Sequence, residues 1–246
     1  MSLPVHWVES LAGVRPGDVV SVDGDEAHHA VAVRRLRRGE RLALTDGVGT
    51  TVVGTVAETA KRHLTVSAVH VETVAEPVPR ITVVQALPKG DRGELAVEVL
   101  TEVGVATIVP WAASRSVAVW RGDRVDKGLA RWRATAREAA KQARRAWFPA
   151  IAALASTDDV VTLVARASLA VVLHEGAAAG WDHVAVPDDG SVLLVVGPEG
   201  GLSDEELERF RGAGATVVRL GSEVLRTSTA GVVAVAAVLS RTPRWW

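Results

Sequence analysis

Beyond Arg80 the chain passes repeatedly from a short apolar run into a helix-forming stretch, and that alternation restricts the fold more than any other feature. Apolar runs at residues 81–86, 107–110, 169–173, 192–196 and 216–220 have the length and β-branched content of strands. Helical patterns at residues 93–103, 126–146, 204–212 and 229–239 lie between or after them. Strands joined through helices pair in parallel, so a parallel sheet packed with helices is expected.

The preceding residues have a different texture. Segments 19–22, 41–45, 51–57 and 63–71 read as short strands, with a hairpin signal at Asp46-Gly47. A turn through Asp23, Gly24 and Asp25 leads into a short helix. Pro77 and Pro79 punctuate the stretch that follows the last of these strands. The expected organisation is a small β-barrel over residues 1–72, a linker over 73–80 and an α/β domain over 81–246.

Composition removes several function classes. The 246 residues are 48% hydrophobic, enough for a sizeable core, and contain no cysteine. Disulfide frameworks, thiolate zinc sites and cysteine nucleophiles are therefore excluded. A formal net charge of -1 means that any nucleic-acid surface must be a local patch. The start lacks the basic and apolar regions of a secretory signal, and the apolar stretch 230–239 is too short to span a bilayer. The expectation is a cytoplasmic protein without a membrane partner.

Two segments carry the candidate site. In the first, Val195-Val196-Gly197-Pro198-Glu199-Gly200-Gly201-Leu202-Ser203, a buried strand runs into a glycine-rich turn, and Ser203 with Glu206 forms a capping box for the next helix. In the second, Leu220-Gly221-Ser222-Glu223-Val224-Leu225-Arg226-Thr227-Ser228-Thr229, a strand again ends at a glycine and a hydroxyl-rich turn enters an apolar helix. Ser228 or Thr229 is its expected cap. Each segment alone is also compatible with a plain tight turn. Together they can build one pocket from backbone at the strand ends, where α/β sheets bind ligands. No phosphate-binding G-x-x-x-x-G-K-[ST] loop, complete dinucleotide fingerprint or G-x-S-x-G elbow is present.

Basic residues form two clusters: Arg34, Arg35, Arg37 and Arg38 near the barrel, and Arg137, Lys141, Arg144 and Arg145 at helical spacing on the long helix. Such clusters suit phosphates or are simply solvated faces. Asp23, Asp25, Glu26, His28 and His29 read as a turn rather than a metal site, and no metal is expected. Most of the 8 tryptophans are expected to be packing anchors, while Trp245 and Trp246 have no assignable place.

Gly197-Pro198-Glu199-Gly200-Gly201, followed by Leu220-Gly221 and Leu225-Arg226-Thr227, resembles the signature of the 16S ribosomal RNA (uracil-N3)-methyltransferases, members of the SPOUT superfamily of knotted methyltransferases. Pro88-Lys89-Gly90-Asp91, Glu102-Val103-Gly104, Trp132, Glu138-Ala139-Ala140-Lys141-Gln142 and the stretch from Arg144 to Pro149 extend the resemblance over most of the chain. It implies a C-terminal SPOUT sheet with a trefoil knot, an N-terminal PUA-like barrel that grips RNA, and a homodimer. Two positions depart from it: family members often carry Arg where this chain has Glu223 and Glu where it has Ser228.

The implied activity is S-adenosylmethionine-dependent methylation of N3 of a uridine in 16S rRNA, with the assembled 30S subunit as partner. The implied cofactor contacts are Leu173, Val196, Gly197, Pro198, Glu199, Gly200, Gly201, Leu220, Gly221, Val224, Leu225, Arg226 and Thr229. Arg34, Arg35, Arg37, Lys89, Arg92, Lys141, Arg144 and Arg145 are the candidate RNA contacts. Arg226 is the candidate for stabilising charge in the reaction, since a guanidinium stays protonated and is a poor base. Glu138 is the candidate proton acceptor. Methylation of another RNA, or a ribosome-assembly role without catalysis, are the alternative readings.

Overall fold

The computed structural model describes residues 3–245, so Trp246 lies outside the described residues. It divides into two compact units. The first comprises the residues up to Glu76 together with Ala140–Phe148, and the second comprises Pro77–Ala139 together with the residues from Pro149 on.

The first unit is a five-stranded sheet. Its strands are β1 (Val5–Trp7), β2 (Val19–Asp23), β3 (Arg41–Thr45), β4 (Thr50–Ala60) and β5 (His63–Thr73), in the order β1-β3-β4-β5-β2. Alternation along β4 and β5 sends Val52, Val56, Leu64 and Val66 into the core with Leu42 and Leu44, and the intervening residues outward. The β3–β4 turn is the expected one: the Asp46 side chain accepts from the N–H groups of Val48 and Thr50. Strand β1 had no sequence signal beyond three residues and pairs in parallel with β3. Helix α1 (Gly24–His28) runs into a π-helical turn at His29–Val33.

The long helix ends before residue 146, where the sequence placed its end. Helix α3 is Asp123–Gln142, and Arg144 adopts a left-handed conformation with φ 54°. Arg144 and Arg145 are therefore off the helix and do not extend the face that carries Arg137. Lys141 is only 7% exposed, and its Nζ donates to Glu26 Oε1 at 2.7 Å. A cation expected on a solvated face is thus a buried ion-pair partner, because Glu26 meets it inside the first unit. Asp23 pairs with His63 and Asp25 with Arg62, so the acidic turn spends its carboxylates on separate partners.

The second unit is a six-stranded, wholly parallel sheet of β6 (Arg80–Ala86), β7 (Thr107–Trp111), β8 (Ala150–Ile151), β9 (Leu169–Leu173), β10 (Ser191–Val196) and β11 (Thr216–Val218), in the order β11-β9-β10-β6-β7-β8. Central strands β6 and β10 are buried almost throughout, as expected for a sheet covered on both faces. One face packs α2 (Arg92–Val103) and α6 (Thr227–Leu239) with Trp132 from α3. The other face gathers Trp111, Phe210, Val160 and Leu207, the last three from α4 (Thr157–Arg166) and α5 (Asp204–Gly212). Helix α4 went unread, although Ser156 and Asp159 form a capping box ahead of Val160 and Val164. Gly231 lets α6 settle on the sheet: a Cβ there would lie 3.2 Å from Leu100 and 3.4 Å from Val196.

Burial alone would raise the Glu26 carboxyl, but the contacts from His6 and Lys141 outweigh it and hold its pKa at about 2, below the ordinary 4.5. Because the folded value is the lower one, the stabilisation is complete above about pH 4.5 and disappears as pH falls toward 2. Glu26→Gln should destabilise the first unit by about 3 kcal/mol at neutral pH, a difference that shrinks on acidification. Amide exchange of β4 and β5 at pH 7 and pH 3 measures both; equal protection in the two proteins at pH 7 would refute it.

Candidate cofactor and RNA site

All strands of the second sheet run the same way, so their C-terminal ends share one edge. The loops after β9, β10 and β11 and the start of α6 meet there around a cavity of about 260 Å³. The sheet order places β10 next to β6, where the connections turn toward opposite edges, which is where an open α/β sheet leaves a crevice.

The cavity brings together most of the proposed cofactor residues. Leu173, Val196, Gly197, Pro198, Glu199, Gly201, Leu220, Val224, Leu225 and Arg226 all line it. Gly200, Gly221 and Thr229 do not line it. A Cβ on Gly200 would meet Arg115 at 3.1 Å, so its missing side chain serves the packing of that neighbouring loop. Thr229 turns its hydroxyl back to the Arg226 carbonyl. Gly201, at φ 70°, holds a conformation that a side chain would strain. Arg92, expected at RNA, is on the cavity wall.

His174, Glu175, Leu202, Arg219, Thr227 and Ala230 also line the cavity and are not among the expected cofactor contacts, although Leu202 and Thr227 lie in the two candidate segments. His174 and Arg219 each immediately follow the last residue of a strand. For His174 that position was the available signal, since residues just past parallel strands face the ligand edge; Arg219 was hidden because the apolar run 216–220 extends past the end of β11 at Val218.

The glycine loop is held from two sides. Glu199 Oε1 accepts from the Lys89 backbone N–H at 3.1 Å and lies 3.5 Å from Arg92 Nη1, fixing the entry to α2. Arg115 Nη1 donates to the Leu202 carbonyl at 3.1 Å. The expected capping box is present: Ser203 accepts from the Glu206 N–H, and Glu206 Oε2 accepts from the Ser203 N–H. Buried Glu206 also accepts from the Ser114 N–H at 2.8 Å, which fastens the loop after β7.

Helix α6 begins two residues earlier than its sequence pattern indicates. Its N-cap is Arg226, with no side-chain cap; Ser228, an expected cap, is 3% exposed inside the first turn. The helix start is fastened instead by buried Gln85, whose Nε2 donates to the Thr227 carbonyl at 3.3 Å. Uncapped N–H groups and the helix dipole make this end of the cavity attractive to an anion.

The other site residues lie elsewhere. Glu138 is exposed on α3 and is absent from the cavity wall. Arg34, Arg35 and Arg37 are exposed in the first unit and make no ion pair among the described residues, and Arg144 is exposed there too. Arg145 is half-buried, and Lys89 is exposed in the second unit beside the cavity loop.

Glu199→Ala should release the Lys89 amide, raising its exchange rate about tenfold, as loss of a hydrogen bond to a charged acceptor requires. Unchanged protection at Lys89 would show that Glu199 does not hold this segment.

A family model described as an RNA methyltransferase domain matches residues 75–239, and one described as an RNA methyltransferase PUA domain matches residues 22–69. Ribosomal RNA small subunit methyltransferase E of Mycobacterium tuberculosis is 47% identical over 98% of this chain and 93% of its own length. A methyltransferase of Legionella pneumophila solved with bound SAM superposes with a TM-score of 0.90 at 27% identity, over 98% of this chain and 99% of that one. Ribosomal RNA small subunit methyltransferase E of Neisseria gonorrhoeae, solved with S-adenosyl methionine, gives 0.87 at 25% identity over 98% of each chain. The chain therefore belongs to the ribosomal RNA small subunit methyltransferase E family, with the SPOUT-type parallel α/β sheet and N-terminal PUA domain of that family.

Proposed function

We propose that this protein methylates N3 of a uridine in 16S rRNA, with S-adenosylmethionine held in the cavity at the C-terminal edge of the parallel sheet. The carrying observation is the convergence on that one cavity of both glycine loops and Arg226, in a chain 47% identical to a small-subunit rRNA methyltransferase. The homodimer, the trefoil knot, the 30S subunit as substrate and the cytoplasm as place of action belong to the same reading. So does a division of labour in which residues 1–72 form the RNA-gripping domain and residues 81–246 the catalytic one.

The cavity residues fit this cofactor. Leu173, Val196, Leu225 and Ala230 supply an apolar wall for an adenine ring, and Gly197 leaves backbone within reach of a ligand. Glu175, Glu199 and Glu223 offer carboxylates to an ammonium and to ribose hydroxyls, while Arg219 and the α6 N-terminus suit a carboxylate. When bound, S-adenosylmethionine supplies an electrophilic methyl group on a sulfonium.

The residues of the chain do the rest. The loops 197–203 and 219–227 align the two reactants and exclude water, which converts an encounter into a positioned attack. A uridine drawn out of its stack presents N3 to the cavity. N3 would first give its proton to solvent water, which leaves negative charge shared with the adjacent carbonyl oxygens; attack on the methyl group would then discharge it. Arg226, a permanent cation on the cavity wall, stabilises that charge without accepting the proton. Arg34, Arg35, Arg37, Lys89 and Arg144 contact phosphates in this proposal; Lys141, buried against Glu26, does not. Glu138 takes no part in it.

Incubation with labelled S-adenosylmethionine and unmodified 30S subunits, followed by nucleoside mass spectrometry, tests the activity. N3-methyluridine at one small-subunit position is expected, and absence of label from RNA would refute the proposal. Arg226→Ala should lower kcat about 100-fold while changing the Kd for S-adenosylmethionine only a few-fold. Equal losses in both would make Arg226 a cofactor-binding residue instead.

A further inference from the structure

A second cavity, of about 310 Å³, lies in the same unit between the start of α2 and the first half of α3. Its floor is a pair of indoles: Trp120 and Trp132 meet edge to face with ring centroids 5.3 Å apart. Its rim is basic. Arg124, Lys127 and Arg131 recur along one face of α3 at three- and four-residue spacing, and all are exposed. Glu94 is the one acidic lining residue among the described residues, and it is engaged by Arg131 at 3.1 Å. Arg124 and Lys127 make no ion pair among the described residues.

The floor carries an unspent hydrogen-bond donor. Trp132 is 2% exposed, and its Nε1–H has no partner among the described residues. Nε1 stands beside Gly93, where a Cβ would come within 3.1 Å of it, and both residues line the cavity. The N–H is not sealed from solvent, so an acceptor entering the cavity can reach it. The other wall is opened by Gly128, which packs so closely on Trp120 that a Cβ there would fall 2.6 Å from the ring. Aromatic floor, inward donor and cationic rim are the three things that an unpaired nucleotide recognises: a surface for the base, a donor for its carbonyl or ring nitrogen, and charges for its phosphates.

The position adds a functional sense. Leu87, Pro88 and Gly90 line this second cavity, while Arg92 lines the first and Glu199 of the first holds the Lys89 N–H. The segment 87–92 is thus a shared wall. We propose that the second cavity binds a nucleotide of the same RNA strand that delivers the target uridine, so that one strand bridges the wall with one base in each cavity. This rests on the reading of the protein as an RNA methyltransferase, but its test is a binding measurement that needs no turnover.

The probe is fluorescein-labelled single-stranded decauridylate titrated against the whole protein across a range of salt concentrations. Arg124→Ala with Lys127→Ala should weaken binding about tenfold at low salt. The double variant should also flatten the plot of log K against log salt by about 1.4, the loss of two phosphate contacts on a single strand. Trp132→Phe, which keeps a ring and removes the N–H, should weaken binding several-fold and leave the salt slope unchanged, with an unaltered melting temperature as its control. A 5-bromouridine-substituted oligomer should crosslink to the peptide containing Trp120. Wild-type binding in both variants, or crosslinks confined to residues 34–38, would overturn the proposal. So would binding of uridine monophosphate as tight as that of the oligomer, which would make the cavity a small-molecule site. Failed methylation of 30S subunits alongside these losses would remove the enzymatic reading and leave the nucleotide site standing.

Discussion

The parallel direction of the second sheet is the constraint on which the remaining structure depends. Parallel strands cannot be joined by hairpins, so every connection must cross the sheet and every strand must finish at the same edge. Loops separated by tens of residues, after Leu173, Val196 and Val218, are thereby delivered to one place. The apolar runs that make the strands insoluble on their own also fix the site, because β6 and β10 must be buried on both faces and only their ends can be functional.

A site made of loop ends needs its loops immobilised, and here carboxylates do much of that work. Glu206 caps α5 and simultaneously accepts from the Ser114 N–H, so one buried side chain ties two connections together. Glu199 does the same between the glycine loop and the entry to α2. Each accepts backbone N–H groups that would otherwise be lost to solvent or left unsatisfied, and charge makes those hydrogen bonds stronger than neutral ones. Gln85 performs the equivalent service for the start of α6 from the floor of the sheet. In each case the glycines allow the path of the backbone, while the polar side chains around them select one conformation.

The legibility of the sequence followed the physics of each element. Runs 41–45, 169–173 and 204–212 were readable to the residue, because the first two are short apolar strand patterns with sharp limits and a capping box marks the start of the third. Short β1 and β8 were invisible: two or three residues show no period, and pairing with a neighbour is what makes them strands. The end of α3 was misplaced because helix propensity continues past Gln142, while Arg144 breaks the helix by adopting φ 54°. Lys141 was misread for a related reason. Spacing along a helix says which residues share a face, but not that Glu26, distant in sequence, covers it. At the cavity, the glycines and Arg226 stood out by composition. His174 and Arg219 did not, since their importance lies wholly in where their strands end.

The two departures from the family pattern have different physical weight. Ser228 is buried in the first turn of α6, where its small side chain fits among packed neighbours. A charge there would have to be desolvated or reoriented, so its absence costs the cavity wall nothing directly. Glu223 is exposed, lines the cavity and accepts a hydrogen bond from Ser222 at 2.8 Å. With Glu175 and Glu199 it sets three carboxylates against Arg92, Arg219 and Arg226 on the wall. An arginine at this position would tilt that wall toward positive charge; the glutamate balances it. A wall balanced in this way, with Arg226 at the N-cap of α6, suits a ligand that carries both an ammonium and a carboxylate better than one of a single charge.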